Sequence, residues 1–193
     1  MNNLNRDCVV IGIDPGIRNT GWGVIRIKEN NIFHLCHGVI NTEHNRSDAL
    51  RLNYIANSLD KIIKNYKPDI AVIEKIFVSN SGESALKLGM ARGVALNSLV
   101  SQKKIIIKEL AARYIKKAIT GTGAADKDQI KYMIEKLLGK IVVQSDAADA
   151  LAIAIAGYNI PNESLNSLKL NYDKKKYSNH KLNNAIRKAL DKG

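Results

Sequence analysis

The sequence predicts one α/β domain followed by a basic tail. Its 193 residues suit a single domain with a buried core, and 45% hydrophobic and 25% charged residues are typical of globular proteins. Short apolar runs typical of strands alternate with longer amphipathic segments typical of helices. Two apolar runs, residues 9–13 and 70–73, end in an acidic residue. We therefore expect the domain to occupy residues 1–158 and a flexible C-terminal tail to occupy residues 159–193.

The first predicted element is a hairpin over residues 9–25. Its first, apolar strand ends at Asp14, and Pro15-Gly16 predicts a turn directly afterwards. A carboxylate at the end of a buried strand is costly unless it pairs with or binds a cation. Asp-Pro-Gly is also common in plain turns, so this motif alone leaves a structural and a functional role open.

A third strand is predicted at Ile32–Ile40, antiparallel to the second, with Asn30-Asn31 in the turn. This strand contains His34, Cys36 and His37, which resemble a metal-binding cluster. Strand alternation places residues 34 and 36 on one face and residue 37 on the other, so we expect no zinc site.

Helices and strands then alternate. We expect a helix over Ser47–Tyr66, a strand over 70–73 that ends in Glu74, and a helix over 83–101. Small residues recur every four positions in that last helix, at Ala85, Gly89 and Gly93. They permit close approach of a partner subunit, or equally of the chain's own sheet.

The final part of the domain is predicted to contain one more strand and three helices. The strand covers 105–107, and a helix follows through Leu110, Ala111, Tyr114 and Ile115. Asp126 is expected to cap a helix that ends at Leu138, with Lys127 at its first position. A cation there is unfavourable unless an anion docks beside it, although a tolerated surface lysine is equally consistent.

The last helix is predicted over residues 145–158. Asp146 and Asp149 are three residues apart and project from one face of its first turn. Ordinary capping is the alternative, with Asp146 as the N-cap and Asp149 at the third position.

The overall charge predicts a polyanionic partner, most often nucleic acid. The formal net charge is +12, and the tail carries eight Lys and Arg residues against three acids.

We find no apolar run near the roughly 20 residues of a membrane span and no signal-peptide pattern, so we expect a cytoplasmic protein with no membrane partner. Two cysteines cannot form a disulfide framework.

Four acids follow apolar core segments, and together they predict a metal site: Asp14, Glu74, Asp146 and Asp149. If their elements are neighbours, the carboxylates repel one another unless cations neutralise them. Oxygen ligands without His or Cys favour Mg²⁺ or Mn²⁺ over zinc. Two such ions can stabilise the attacking and leaving oxygens of a phosphodiester.

The motifs GIDPGIRNTGWGVI, AVIEKIF, SALKLGMARG and SDAADALAIAIA resemble, in order, the signatures of the RuvC family of Holliday junction resolvases. The resemblance implies an RNase H-like α/β fold with a mixed five-stranded sheet flanked by helices. It also implies a homodimer that nicks two opposed strands of four-way junction DNA symmetrically during recombination and repair, and a branch-migration motor complex as a partner.

The resemblance further assigns roles to individual residues. Asp14, Glu74, Asp146 and Asp149 correspond to the catalytic acids that bind Mg²⁺, two ions per site, with Mn²⁺ as a substitute. Three other residues correspond to DNA-binding positions, namely Phe77 at the junction centre and Lys116 and Lys127 near the cleaved strand. The family does not explain the basic tail.

Three other functions are compatible with parts of this pattern. Actin-like kinases and ATPases also place glycine-rich hairpins after an aspartate, but they need two such domains. A non-catalytic DNA-binding protein explains the charge and not the four acids. A related nuclease acting on RNA or on another branched DNA differs only in substrate, which a cleavage assay with several substrates distinguishes.

Overall fold

The computed structural model describes residues 7–43, 46–75, 82–101 and 105–158. Five strands lie in these ranges: β1 (Cys8–Asp14), β2 (Asn19–Lys28), β3 (Asn31–Asn41), β4 (Ile70–Lys75) and β5 (Ile106–Ala111). The same ranges contain five helices: α1 (Asp48–Tyr66), α2 (Gly82–Val100), α3 (Ala112–Thr120), α4 (Lys127–Leu138) and α5 (Ser145–Tyr158). Within these helices, none is both long and apolar enough to cross a bilayer.

The strands form one mixed sheet in the order β3-β2-β1-β4-β5. Strands β1, β2 and β3 pair antiparallel, whereas β4 is parallel to both β1 and β5. The predicted α/β class and the mixed five-stranded sheet flanked by helices are therefore confirmed. Because β1, β4 and β5 are parallel, their carboxyl ends lie at one edge of the sheet.

Both faces of the central strands are buried, which explains their continuous apolar runs. Val10 on β1 packs on the side of α5, whereas Ile11 and Ile13 pack on the side of α1 and α2. Helix α5 is itself buried along almost its whole length. It lies directly against the sheet because β1 and β2 present glycines to it. A Cβ at Gly12 would lie only 2.0 Å from the Ala150 carbonyl oxygen.

The far end of α5 is held by a buried lysine on β5. Lys108 is 2% exposed, and its Nζ donates to the Gly157 carbonyl oxygen at 2.9 Å. A cation at a helix C-terminus complements the partial negative charge of the terminal carbonyls. This contact fixes α5 along its axis relative to the sheet.

Two local predictions were wrong in detail. The β2–β3 turn consists of Glu29 and Asn30, both with positive φ, rather than Asn30 and Asn31. Helix α3 begins at Ala112, because Leu110 and Ala111 still belong to β5 and pair with β4. In both cases the pairing of neighbouring strands set a boundary that local composition does not reveal.

The histidines of β3 also differ from the prediction. Leu35 is bulged, since Val24 pairs with Cys36 and Ile25 pairs with His34. The extra residue reverses the alternation and brings His34 Nε2 to 2.7 Å from His37 Nδ1. Cys36 now faces away from both histidines, so the three side chains still do not share one face.

The N-cap predicted at Asp126 is confirmed. Ser47 is the N-cap of α1, and Asp126 forms a capping box with Gln129 at the start of α4. Phe77 and residues 159–193 lie outside the described residues.

Candidate active site

Three aspartates meet at the edge where β1 ends and α5 begins. Asp14 is the last residue of β1, and Asp146 and Asp149 lie near the start of α5. One carboxylate oxygen of each lies within 4.8 Å of the others, and all three residues are partly buried. Three carboxylates at this spacing form a compact site that a divalent cation could occupy.

The alternative reading of the α5 acids as plain caps does not fit the geometry. The helix begins at Ser145, so Asp146 is its second residue and Asp149 its fifth, and neither is the N-cap. Their side chains project toward Asp14 instead of turning back onto the helix end. The capping alternative for this pair is therefore excluded.

A glycine of β2 makes this convergence possible. Asp14 pairs with Gly21 across the hairpin, and a Cβ at Gly21 would lie 2.0 Å from the Asp146 carbonyl oxygen. Real Cβ atoms do not approach a backbone so closely, so any larger residue would push α5 outward. Gly23 contributes in the same way, because a Cβ there would lie 2.7 Å from Leu151 Cδ2.

The turn that follows Asp14 is held by buried polar groups. The Thr20 hydroxyl donates to the Gly16 carbonyl at 2.7 Å, and the Thr42 hydroxyl donates to the Ile17 carbonyl at 2.6 Å. Arg51, only 6% exposed, donates to that same carbonyl and to Thr42 Oγ1, at 3.0 and 2.9 Å. These bonds provide partners for backbone carbonyls that have no sheet or helix partner in this turn, and they hold the end of β1 that carries Asp14 in place.

Glu74, the fourth predicted acid, lies on the neighbouring strand. The parallel pairing of Ile13 with Ile73 places Glu74 beside Asp14 at the sheet edge, on the α5 side. Burial, followed by the charge of Asp149, raises the pKa of the Glu74 carboxyl. Among the described residues, the group whose carboxylate oxygens lie within 4.8 Å of one another holds the three aspartates and does not include Glu74.

Burial and the neighbouring acids destabilise the ionised form of the Asp14 carboxyl. Its pKa rises from 3.8 to about 7, chiefly because the carboxyl is buried. The other three acids add to the rise, in the order Asp149, Glu74 and Asp146, and Lys127 opposes it. A carboxyl in this state is protonated for part of the time at neutral pH unless a cation neutralises the cluster.

Both predicted lysines lie close to this cluster. Lys127 Nζ is 3.2 Å from Asp149 Oδ2, and attraction to Asp149 is the main cause of its raised pKa. Lys116 on α3 lies close enough to Glu74 to lower that carboxyl's pKa. Lys127 is 70% exposed, so its ammonium also faces solvent, where a phosphate could approach.

Arg92 on α2 was not identified from the sequence. Its Nε donates to the Glu74 carbonyl oxygen at 3.3 Å, and its Nη2 forms an ion pair with Glu109 on β5. These contacts tie the end of β4 to β5 and α2, from the face opposite α5. An arginine within a helix gives no local sign of such a role, so only the packing identifies it.

The donor set fits hard divalent cations. Carboxylate oxygens without nearby imidazole or thiolate are the ligands that Mg²⁺ and Mn²⁺ prefer. Burial raises the pKa values of Asp14 and Glu74 most, and the charges of the neighbouring acids raise them further. Bound cations would remove that repulsion and act on a phosphate oxygen as electrophiles.

The comparisons with known proteins agree on one family. Residues 10–157 match the family model described as crossover junction endodeoxyribonuclease RuvC. The Caulobacter vibrioides protein of that name is 40% identical over 164 residues, which cover 83% of this chain and 95% of the relative. The Granulibacter bethesdensis protein is 43% identical over 147 residues, or 76% of this chain and 82% of the relative.

A solved structure extends this agreement to the fold. Thermus thermophilus RuvC, in complex with Holliday junction substrate, matches with a TM-score of 0.71 and 29% identity. The match covers 77% of this chain and 92% of the other. This chain belongs to the RuvC family of crossover junction endodeoxyribonucleases.

Proposed function

We propose that this protein resolves four-way DNA junctions by hydrolysing one phosphodiester in each of two opposed strands. The observation that carries the proposal is the carboxylate cluster of Asp14, Asp146 and Asp149, set in a chain of net charge +12. An acidic site alone would repel DNA, so the basic surface must hold the backbone while the acids hold cations at the scissile phosphate. Membership of the family supports the same substrate.

The four acids have distinct mechanical supports in this proposal. Asp14 lies at the end of β1, directly before a turn that Arg51 stabilises, and Glu74 lies near the end of β4, where Arg92 binds its carbonyl. Asp146 and Asp149 are carried by a buried helix that cannot shift without disturbing the core. Such rigidity suits a site that must keep its ligands in place before the substrate arrives.

We assign Mg²⁺ as the cofactor, two ions per site, with Mn²⁺ able to substitute. When bound, the ions would stabilise charge on the attacking and leaving oxygens of the phosphodiester. Lys127 is placed to balance Asp149 and to approach a phosphate oxygen, and Lys116 is placed to do the same beside Glu74. We also keep Phe77 as a predicted contact at the junction centre.

Symmetric cleavage requires two sites, and we propose that a homodimer supplies them through α2. Leu86 on this helix is 64% exposed, and a Cβ at Gly89 or Gly93 would meet no atom within 4 Å. This surface therefore has room for a second subunit.

The family resemblance adds a branch-migration motor complex as a proposed partner. We also propose a cytoplasmic location, which agrees with the free thiols of Cys8 and Cys36.

A cleavage assay with matched variants tests this function. Wild-type protein with Mg²⁺ should nick an immobile four-way junction and leave linear duplex and RNA–DNA hybrid intact. Glu74→Gln and Asp149→Asn should lower the cleavage rate by roughly 10²-fold or more, because each removes a ligand for the ions. Junction binding should persist, since each change also removes a negative charge that faces phosphate.

Asp128→Asn is the matched control, because Asp128 is an exposed acid in the first turn of α4 and lies outside the cluster. It should cleave at the wild-type rate. Undiminished Mg²⁺-dependent cutting by Glu74→Gln would contradict the assignment of the acids. Preferential cutting of the RNA–DNA hybrid would instead show a related nuclease with a different substrate.

A further inference from the structure

A groove of about 560 Å³ opens at the carboxyl end of β5, next to the acid cluster. It lies between the first two turns of α3 and the loop that follows this helix. Six of the residues that line it are Ala111, Arg113, Tyr114, Lys117, Gly121 and Gly123. None of these residues has a role in the catalysis proposed above.

We propose that this groove binds one nucleotide of the cleaved strand, close to the scissile phosphate. The base stacks on the Tyr114 ring, and Arg113 and Lys117 bind the adjacent phosphates. The proposal rests on the proposed function, because it takes the substrate to be DNA that is cut at the acid cluster.

The distance from the groove to the acids indicates how many nucleotides of DNA separate the bound nucleotide from the scissile phosphate. Ala111 pairs with Lys75, which directly follows Glu74. Strand β5 is the second neighbour of β1, and adjacent strands are about 4.8 Å apart, so the groove begins about 10 Å from Asp14. At about 3.4 Å per nucleotide along one strand, it lies within roughly three nucleotides of the scissile phosphate.

The charges that line the groove match a nucleic acid backbone. Arg113 and Lys117 are four residues apart on α3 and therefore lie on the same side of the helix. Lys116, which lies close to Glu74, is three residues after Arg113, so these two cations are neighbours on the surface of α3 and connect the groove to the acid cluster. The seven residues that line the groove include these two cations and no acid.

Tyr114 provides the feature that distinguishes a nucleotide from a simple anion. Its side chain is 42% exposed, although it borders a concave surface. A ring at the wall of a basic groove offers a stacking platform for an unpaired base. An inorganic anion would need only the two cations, and the ring would add nothing to its binding.

The loop on the other side of the groove is already ordered by its own hydrogen bonds. The Thr120 hydroxyl lies 2.9 Å from the Lys116 carbonyl and 3.0 Å from the Thr122 carbonyl, and it accepts from the Thr122 amide at 3.4 Å. Gly121 ends α3 with a φ of +80°, which lets the chain reverse there. Gly123 leaves space for the stem of Arg113, because a Cβ there would lie 2.7 Å from Arg113 Cγ. The groove therefore needs little rearrangement to accept a ligand.

Fluorescence of a base analogue tests the stacking contact. Immobile four-way junctions would carry 2-aminopurine at single positions within three nucleotides of the cleavage point, in EDTA to prevent cutting. Binding of wild-type protein should quench the fluorescence at one or two of these positions. Tyr114→Ala should abolish that quenching and weaken junction binding by about 5- to 150-fold, whereas Tyr114→Phe should retain both.

The chain offers a matched control pair on α4. Tyr132 is 59% exposed, and Lys136 Nζ lies 5.4 Å from the centre of its ring. Tyr132→Ala should leave the quenching unchanged. Arg113→Gln with Lys117→Gln should lower the slope of log affinity against log salt by about 0.7–0.9 for each lost phosphate contact, and Lys136→Gln should not.

The outcomes separate this proposal from the function on which it rests. Quenching that persists in Tyr114→Ala, or that occurs at no position near the cut, would overturn the groove as a nucleotide site even if cleavage is normal. An unchanged salt slope in the double variant would overturn the phosphate contacts. A wild-type protein that cuts no junction would instead overturn the proposed function.

Discussion

Replacing Asp14 by asparagine should make the metal-free protein more stable while abolishing its activity. Burial and the neighbouring acids raise the pKa of Asp14 to about 7 in the folded protein, from 3.8 ordinarily. Between these two pH values Asp14 binds more protons in the folded protein than in the unfolded chain, so the contribution of this carboxyl to stability falls as the pH rises. Asparagine has nearly the same shape and carries no charge at any pH, so the variant should escape this loss.

The size of the effect follows from the pKa shift. Each pKa unit corresponds to about 1.36 kcal/mol, so ionising Asp14 in the folded protein costs about 4 kcal/mol at most. Solvent ions screen part of the repulsion, so we expect Asp14→Asn to gain about 2–4 kcal/mol at pH 8. For a chain of this size that gain corresponds to a rise in Tm of roughly 4–16 °C. At pH 4 the difference should vanish, because the wild-type carboxyl is then protonated when folded.

Thermal unfolding in EDTA between pH 4 and pH 9 provides the measurement. Asp128→Asn serves as the control and should change the melting temperature little at any pH. Adding Mg²⁺ should stabilise the wild type at pH 8 and stabilise Asp14→Asn much less, because cation binding depends on the charge that the variant lacks. Two results would refute the reasoning: identical pH profiles for wild type and Asp14→Asn, or a variant that is less stable than wild type at pH 8.

Two further predictions concern α2. Arg92→Gln should raise the Mg²⁺ concentration needed for half-maximal cleavage, because the end of β4 that carries Glu74 loses the hydrogen bond from Arg92. Arg92→Lys should raise this Mg²⁺ concentration less, because lysine keeps the charge. A metal titration checks this, and a shift in Tm without a shift in the Mg²⁺ requirement would show a purely structural arginine. Gly93→Leu should convert the protein to a monomer and abolish paired nicks, because the added side chain occupies the proposed subunit contact. Sedimentation checks this, and a variant that stays dimeric would exclude this helix from the interface.

The sequence by itself determined the identity of the elements and the chemistry of the site. Continuous apolar runs define β1 and β4, and Asp126 as the N-cap defines the start of α4. Each of these signals depends on neighbours along the chain, so it can be read without coordinates. The acids at the ends of apolar segments likewise predicted an oxygen-ligand metal site, because their charge is costly in those positions.

Only the tertiary structure decided how these parts meet. The bulge at Leu35 placed His34 and His37 on the same face of β3. The glycine at position 21 determined how closely Asp146 approaches Asp14. Arg92 supports Glu74 through contacts with a different strand and helix. In each case the deciding contact joins residues far apart in sequence, and its energy depends on distances of a few tenths of an ångström. Residue types and spacing do not encode such distances, which arise only when the helices pack on the sheet.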